Sequence, residues 1–466
     1  MSLVLLSLLP TLYGEDTNTK EGKDALKNDH GPNAGQHNSA FGFDALYNNT
    51  LGSDNTGIGF DALATNKGGS DNVAVGSQAL VGNTTGDANT ANGFQALLSN
   101  TTGVHNTGIG LAALAANTNG AYNTGIGSEA LVSNTTGSEN TATGLQALYS
   151  NTTGRNNTAD GLGALLNNTT GEENTANGFA AMAENTRGSA NAVNGFWALH
   201  NNTNGYGNTA NGWEALISNT TGAGNTGNGW EVLFLNTTGR FNTADGLGAL
   251  YNNSTGNYNT ALGVNAGYNL TTGDNNIDIG NFNLSTSSSS DIAGQSDTIR
   301  IGHPSVHTAT YIAGIRGITT GNANALAVVI DSAGQLGTIS SSARFKKEIK
   351  PIGDASESLL QLKPVTFYYK NDNQGIPQFG LVAEEVARVN PNLVVRDEKG
   401  DIYTVRYEAV NAMLLNEFLK EHRQVQAQQK EMDELKAQLK EQAAAIQKIS
   451  ARLEFRQRSR QVAIDR

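Results

Sequence analysis

The residues able to do chemistry are few. Ser340, Ser341 and Ser342 stand just before Arg344, Lys346 and Lys347 in the stretch SSSARFKKEIKPI. A hydroxyl and an amine lie five residues apart there, but Ser-x-x-x-x-Lys alone occurs by chance in most proteins and decides nothing. There are no cysteines, so neither a disulfide framework nor a thiolate metal site can form, and no cofactor or metal is expected. Acidic residues shift position from one stretch of the chain to the next. No carboxylate pair keeps the constant register that glycoside hydrolysis would need. Asn-x-Thr sequons recur, as at Asn83, Asn134 and Asn151, and their periodicity argues for turn chemistry over glycosylation. Regular Thr rows (Thr90, Thr107, Thr124, Thr141) could present a flat ice- or glycan-facing ladder. β-Propensity with hydroxyl ladders is the simpler account of them.

These side chains need a scaffold, and composition restricts it. The 466 residues include 55 Gly and 7 Pro, with 6% aromatic and 15% charged. A globular core needs more large apolar side chains and more surface charge, and disorder would not space Gly and Asn strictly. From residue 343 onward there are 21 Lys/Arg and 18 Asp/Glu, which leaves 9 basic and 24 acidic residues before it. A long acidic body repels phosphate, so nucleic-acid binding is not expected. Arg456, Arg458 and Arg460 read as solvated charges at a polar helix end. No stretch reaches the ~18–20 apolar residues of a membrane span. Residues 1–14 read as a signal-like apolar segment with Gly14 a tolerable cleavage position, although no Lys or Arg precedes the apolar run.

Self-similarity is the strongest signal. Gly42, Gly59, Gly76, Gly93 and Gly110 begin a series of fifteen glycines at a constant spacing of seventeen, ending at Gly280. A second Gly falls ten residues into each unit, from Gly52 to Gly273, and an Asn thirteen residues in, as at Asn55 and Asn89. One unit reads as one coil of a parallel β-roll or β-solenoid, with coils stacked at ~4.8 Å. The stretch N-T-A-x-G-Φ-x-A-L is expected to be extended and N-x-T-x-G to turn. Gly at both places supplies positive φ or close backbone approach, and Asn is expected to stack on Asn. Leu148, Phe196, Trp213 and Trp230 are expected on a thin apolar face. That face looks too thin for a single-chain core, and small residues at the strand centre suit three chains around one axis. The pattern resembles the head repeats of trimeric autotransporter adhesins, which implies a trimeric left-handed β-roll. The longer first unit, Gly22 to Phe41, reads as a cap.

After the repeats come a Ser-rich linker (LSTSSSS) and short β-patterned runs, DTIRIG, TYIAGIRGITTG and ALAVVIDSAGQLGTI, the last with a hairpin turn at D-S-A-G-Q. The segment that follows resembles the opening of the intramolecular chaperone auto-processing domain of phage tail spikes such as endosialidases. The matching positions are Ser341, Arg344, Lys346 and Ile349, and FGLVAEEVARVNPNLVVRDEKGDIYTVRYEAVNAMLLNEFLKE resembles the family's helix, hairpin and closing helix. The resemblance runs from about Ser340 to Leu453. It implies a Ser-Lys dyad in which a buried, neutral Lys346 takes the proton of Ser341, whose hydroxyl attacks the adjacent peptide bond. The cut falls between Ser341 and Ser342, where family members often have Asp or Asn after the nucleophile. The bland alternative is a Lys346 that merely pairs with Glu348. In the last helix Asn411, Phe418, Val425, Met432, Leu439, Ile446 and Leu453 recur every seven residues. Leu414, Glu421, Gln428, Leu435, Gln442 and Ile449 form a second row. These are the a and d rows of a coiled coil.

The expected chain is mostly β: signal-like segment (1–14), N-terminal cap (15–41), seventeen-residue β-roll repeats (42–284), linker and β neck (285–340), α+β chaperone domain (341–420) and coiled-coil tail (421–466). As a whole it reads as a homotrimeric extracellular or bacterial-surface attachment fibre, assembled by a chaperone that then cuts itself free. Its partner would be a host-surface glycan or protein. The rivals are a phage tail fibre or glycan-cutting tail spike, and an ice-binding or purely structural solenoid.

Overall fold

The structure is a computed structural model that describes residues 17–31, 33–284, 286–313, 315, 325–331, 335–370, 372–397 and 399–464. The signal-like segment 1–14, most of TYIAGIRGITTG and the expected turn at 332–334 lie outside the described residues. The chain divides into two compact units at Ile312/Ala313.

The first unit is a parallel β-solenoid. Each coil contributes one strand of three residues, and a 17-stranded sheet runs through the described residues from Thr19–Glu21 to Ile299–Ile301. Successive strands pair parallel at a shift of one repeat, as in Thr124↔Thr141, Gly125↔Ala142 and Ile126↔Thr143. At ~4.8 Å per strand the stack is roughly 75 Å long. The longer Gly22–Phe41 coil joins the same sheet, since Thr19 pairs with Ser39. DTIRIG, expected in the neck, forms the last rung instead, with Ile277 paired to Ile299.

The coil closes on itself. From Ala40 to Asp278 the middle residue of each strand points inward: Ala91, Ala142 and Ala159 are fully buried, while their neighbours face outward. The Ala and Leu of the x-A-L stretch, such as Ala147 and Leu148, complete a continuous apolar core. Two expectations are corrected here. The extended stretch does not reach x-A-L, because Gln146 and Leu148 sit at φ of 58° and 53° and turn the chain. A left-handed Leu costs on the order of 1–2 kcal/mol. Burying its side chain returns ~1.5–3 kcal/mol, and its N–H bonds the next rung at Ala164 O (3.0 Å). The core is also not short of material in one chain: Ala, Leu and Asn fill it. Phe196, Trp213 and Trp230, expected on the apolar face with Leu148, point outward and are 39–53% exposed.

Two Asn ladders line the interior. The Asn55 series runs as expected: Asn72 Nδ2 donates to Asn55 Oδ1 (3.1 Å) and to Gly86 O (2.8 Å), and the Asn72 backbone N–H also donates to Asn55 Oδ1. A second series uses the sequon asparagines. Asn83 Nδ2 donates to Asn66 Oδ1 (2.8 Å) and to the same Gly86 O (3.0 Å). Each second-Gly carbonyl from Gly52 to Gly256 accepts from both ladders in this way, and full burial with full hydrogen bonding is what makes polar side chains tolerable here. Asn83, Asn134 and Asn151 are wholly buried, which explains their periodicity without glycans. The glycines answer a close approach. Gly144 has φ of 129°, and a Cβ on it would stand 2.6 Å from Gly161 O. A Cβ on Gly137 would meet Asn134 Oδ1 and Gly154 O, each at 2.4 Å. A hydroxyl–carbonyl ladder exists in a Thr row other than the one expected, through contacts such as Thr101 Oγ1 to Thr118 O (2.9 Å).

At the C-terminal end of the solenoid the pattern breaks. Asp278 takes the inward strand position that Ala, Gly or Val holds in the coils before it from Ala40 onward, and is 1% exposed. Asn281 Nδ2 bridges it to Asp291, donating to Asp278 Oδ1 (2.8 Å) and Asp291 Oδ1 (3.2 Å). Burial, then the neighbouring Asp291 charge, push the Asp278 carboxyl up to about 7 against the pull of Arg300.

The second unit is small. Helix α1 (Ala383–Val389), a 3-10 turn at Pro391–Leu393 and the hairpin Val394–Arg396/Ile402–Val405 pack under the start of helix α2 (Tyr407–Ile464). Val386, Leu393, Val394, Val405 and Met413 form its core. Among the described residues no helix is long and apolar enough to cross a membrane.

Candidate functional site

Ser341 and Lys346 flank a single 3-10 turn, Ala343–Phe345. Phe345 N–H donates to Ser342 O (3.1 Å) and Lys346 N–H to Ala343 O (3.0 Å). This tight turn folds the chain back enough for Lys346 Nζ to reach Ser341 Oγ at 3.4 Å. Arg344 turns away and lies over the Phe345 ring, 4.6 Å from its centre. The sequence pair is thus brought together by local structure alone. Its environment differs from the expectation. Both residues are exposed, whereas the resemblance implied a buried Lys346. Among the described residues no ion pair joins Lys346 to Glu348.

The site sits just before a 3-10 segment, Gly353–Gln361, that packs on α2. The contact is organised by Ser356, a fully buried hydroxyl that sequence reading missed. Asn416 Nδ2 donates to Ser356 Oγ (2.6 Å) and to Gly353 O (2.9 Å), and Ser356 Oγ donates to Glu417 Oε1. Lys420 Nζ closes the group on Glu417 at 3.0 Å. The Ser356 hydrogen bond, then the Lys420 ammonium, hold the Glu417 carboxyl below its usual range. Asn416, Glu417 and Lys420 share one helix face at helical spacing, but nothing in the sequence ties them to Ser356. The network fixes the segment that follows the dyad against the long helix.

Residues 341–395 match the family model described as chaperone of endosialidase. The match begins on Ser341 and ends in the hairpin's first strand. No curated protein and no solved structure matches the chain. A segment similar to the chaperone of endosialidase therefore follows the parallel β-solenoid in the chain.

Proposed function

We propose that this chain is the subunit of a homotrimeric attachment fibre whose C-terminal unit templates assembly and then releases itself by autoproteolysis. The observation that carries the reading is the contact of Lys346 Nζ with Ser341 Oγ at the first residue of the endosialidase-chaperone segment. In the release step the peptide bond between Ser341 and Ser342 is hydrolysed. Ser341 supplies the hydroxyl and Lys346 accepts its proton. One water is consumed, leaving a carboxylate on Ser341 and an amine on Ser342.

Assembly rests on α2. Phe418, Val425, Met432, Leu435, Leu439 and Ile446 are each 51–64% exposed on a helix of 58 residues. Three copies wound together would cover these rows, and Glu421, Gln428 and Gln442 would weaken the bundle enough for later separation. Burial among copies would also supply the desolvation that Lys346 lacks in one chain. Cleavage after assembly leaves the acidic solenoids without their template, so that the assembled state persists by a kinetic barrier. The fibre would stand on a bacterial surface or a phage tail and meet a glycan or protein receptor. The test is intact mass and denaturing electrophoresis of freshly expressed protein beside Ser341→Ala and Lys346→Ala. The wild type should split at Ser341/Ser342 while both variants stay whole. A wild type that stays full length would withdraw the self-cleavage and leave a permanent trimerising cap.

A further inference from the structure

The residue after each first Gly of the repeat is apolar in twelve of fourteen coils from Phe43 to Val264, with Ser77 and Ser128 as the exceptions. None of these side chains enters the core. They stand on the outside of the coil in one row, each 39–53% exposed. Aromatic neighbours in the row stack in pairs, Phe43 on Phe60 at 5.5 Å, Phe179 on Phe196 at 5.1 Å and Trp213 on Trp230 at 5.7 Å, while Phe196 lies tilted against Trp213.

A row of this kind is out of place on an isolated chain. Twelve side chains of roughly 200 Å² each, about half exposed, amount to about 1,000 Å² of apolar surface, of which the unbroken run from Leu145 to Val264 supplies about 700 Å². A monomer rarely leaves more than ~300–600 Å² in one patch, and a standard interface takes about 800 Å² from each partner. The row holds no charge, whereas the chain up to residue 342 carries 24 acidic against 9 basic residues. Two such acidic rods repel one another everywhere except along an uncharged strip. A second copy also presents the same spacing, so that row meets row at every rung.

We infer that this row is the seam along which the solenoids of neighbouring copies pack. The inference rests on the assembly reading above and names its surface, which replaces the small strand-centre residues that the sequence suggested. Those residues are sealed inside each coil.

The chain has no cysteine, so single cysteines report cleanly. Full-length Leu162→Cys and Leu111→Cys lie on the row, and Thr153→Cys, also exposed, lies off it. Each is treated with a short bismaleimide after its thermal melting is matched to the parent and its mass in solution is taken by light scattering. In a trimer with one cysteine per chain, covalent dimer should reach about two-thirds of the protein for both row variants and stay several-fold lower for Thr153→Cys. If light scattering gives an oligomer but row cysteines neither cross-link nor alkylate more slowly than Thr153→Cys, the seam is refuted while the assembly reading survives. The row would then face solvent, open to a ligand such as a glycan. A full-length chain that is monomeric at micromolar concentration removes both.

Discussion

Asn140→Ala tests whether the buried ladders hold the solenoid together. Asn140 Nδ2 donates to Asn123 Oδ1 (3.1 Å) and Gly154 O (2.9 Å), and its Oδ1 accepts the backbone N–H and Nδ2 of Asn157, each at 3.1 Å. Truncation does not orphan every partner. Asn123 Oδ1 keeps the Asn140 backbone N–H and Gly154 O keeps Asn151 Nδ2. What is stranded is the Asn157 backbone N–H and one of its amide hydrogens, both buried. Each such donor costs ~1–3 kcal/mol, so a loss of about 3–5 kcal/mol is expected once the small cavity is included. Because each coil touches mainly its neighbours, the damage should be local. Amide hydrogen exchange in the rungs around Thr141 and Thr158 should accelerate by about two to four orders of magnitude, with distant rungs nearly unchanged. Asn204→Ala, an exposed asparagine in the same solenoid, should stay within ~0.5 kcal/mol of the parent. Equal effects from the two substitutions, or unchanged exchange beside Asn140, would refute the claim that the buried ladder hydrogen bonds hold a rung in place.

Two further substitutions separate other causes. Gly161→Ala places a Cβ 2.5 Å from Gly178 O at φ of 130° and should lower the guanidinium midpoint by the equivalent of ~3 kcal/mol or more. Gly163→Ala, with φ of 65° and open space around it, should cost only about 1–2 kcal/mol. At the end cap, Asp278 is raised from 3.8 in the unfolded chain to about 7 in the fold. A raised carboxyl binds its proton more tightly when folded, so its contribution is complete below about pH 4 and is lost as pH rises toward 7. The step from 3.8 to about 7 corresponds to ~4 kcal/mol at most. The rungs at Ile277–Ile279 and Ile299–Ile301 should exchange faster at pH 8 than at pH 5 after correction for intrinsic rates, and Asp278→Asn should remove that difference.

The repeat was legible because period and rung are the same object: a constant spacing of Gly42, Gly59 and Gly76 can only be kept if each coil ends where the last one did. What the period hides is the path within the coil. Nothing in the residue type announces a left-handed Leu148, since leucine rarely adopts that conformation, so extending the strand pattern through x-A-L put Phe196 and Trp213 on the face shared with Leu148. The second ladder was hidden for another reason. Asn83, Asn134 and Asn151 read as turn residues in a sequon, and only three-dimensional stacking reveals them as interior. Ser341 and Lys346 were singled out by the resemblance of the segment around them, and one turn of backbone suffices to bring them into contact. The exposure of that pair was not legible, because burial depends on what surrounds the turn. The Ser356 group spans some sixty residues and left no local pattern to find.

The uniformity that makes the solenoid stable also makes it ambiguous. Within one chain, covalent connection fixes which rung follows which. Between copies, a slip of one rung along the apolar row exchanges Phe for Trp or Leu and sacrifices one contact among twelve, so packing energy alone discriminates weakly against it. Ser77 and Ser128 add little selectivity, since a hydroxyl opposite an apolar side chain at a half-exposed surface costs far less than a buried one. A register signal therefore has to come from outside the repeats. Under the proposed reading α2 supplies it: its apolar positions are interrupted by Glu421, Gln428 and Gln442, so that shifting one copy by a heptad sets polar side chains against Leu435 or Ile449. Three chains aligned there enter the solenoid at the same rung, and each rung that closes aligns the next. Under the same reading such a template is needed only once per fibre, so a single-turnover cut between Ser341 and Ser342 would serve where a reversible contact would not.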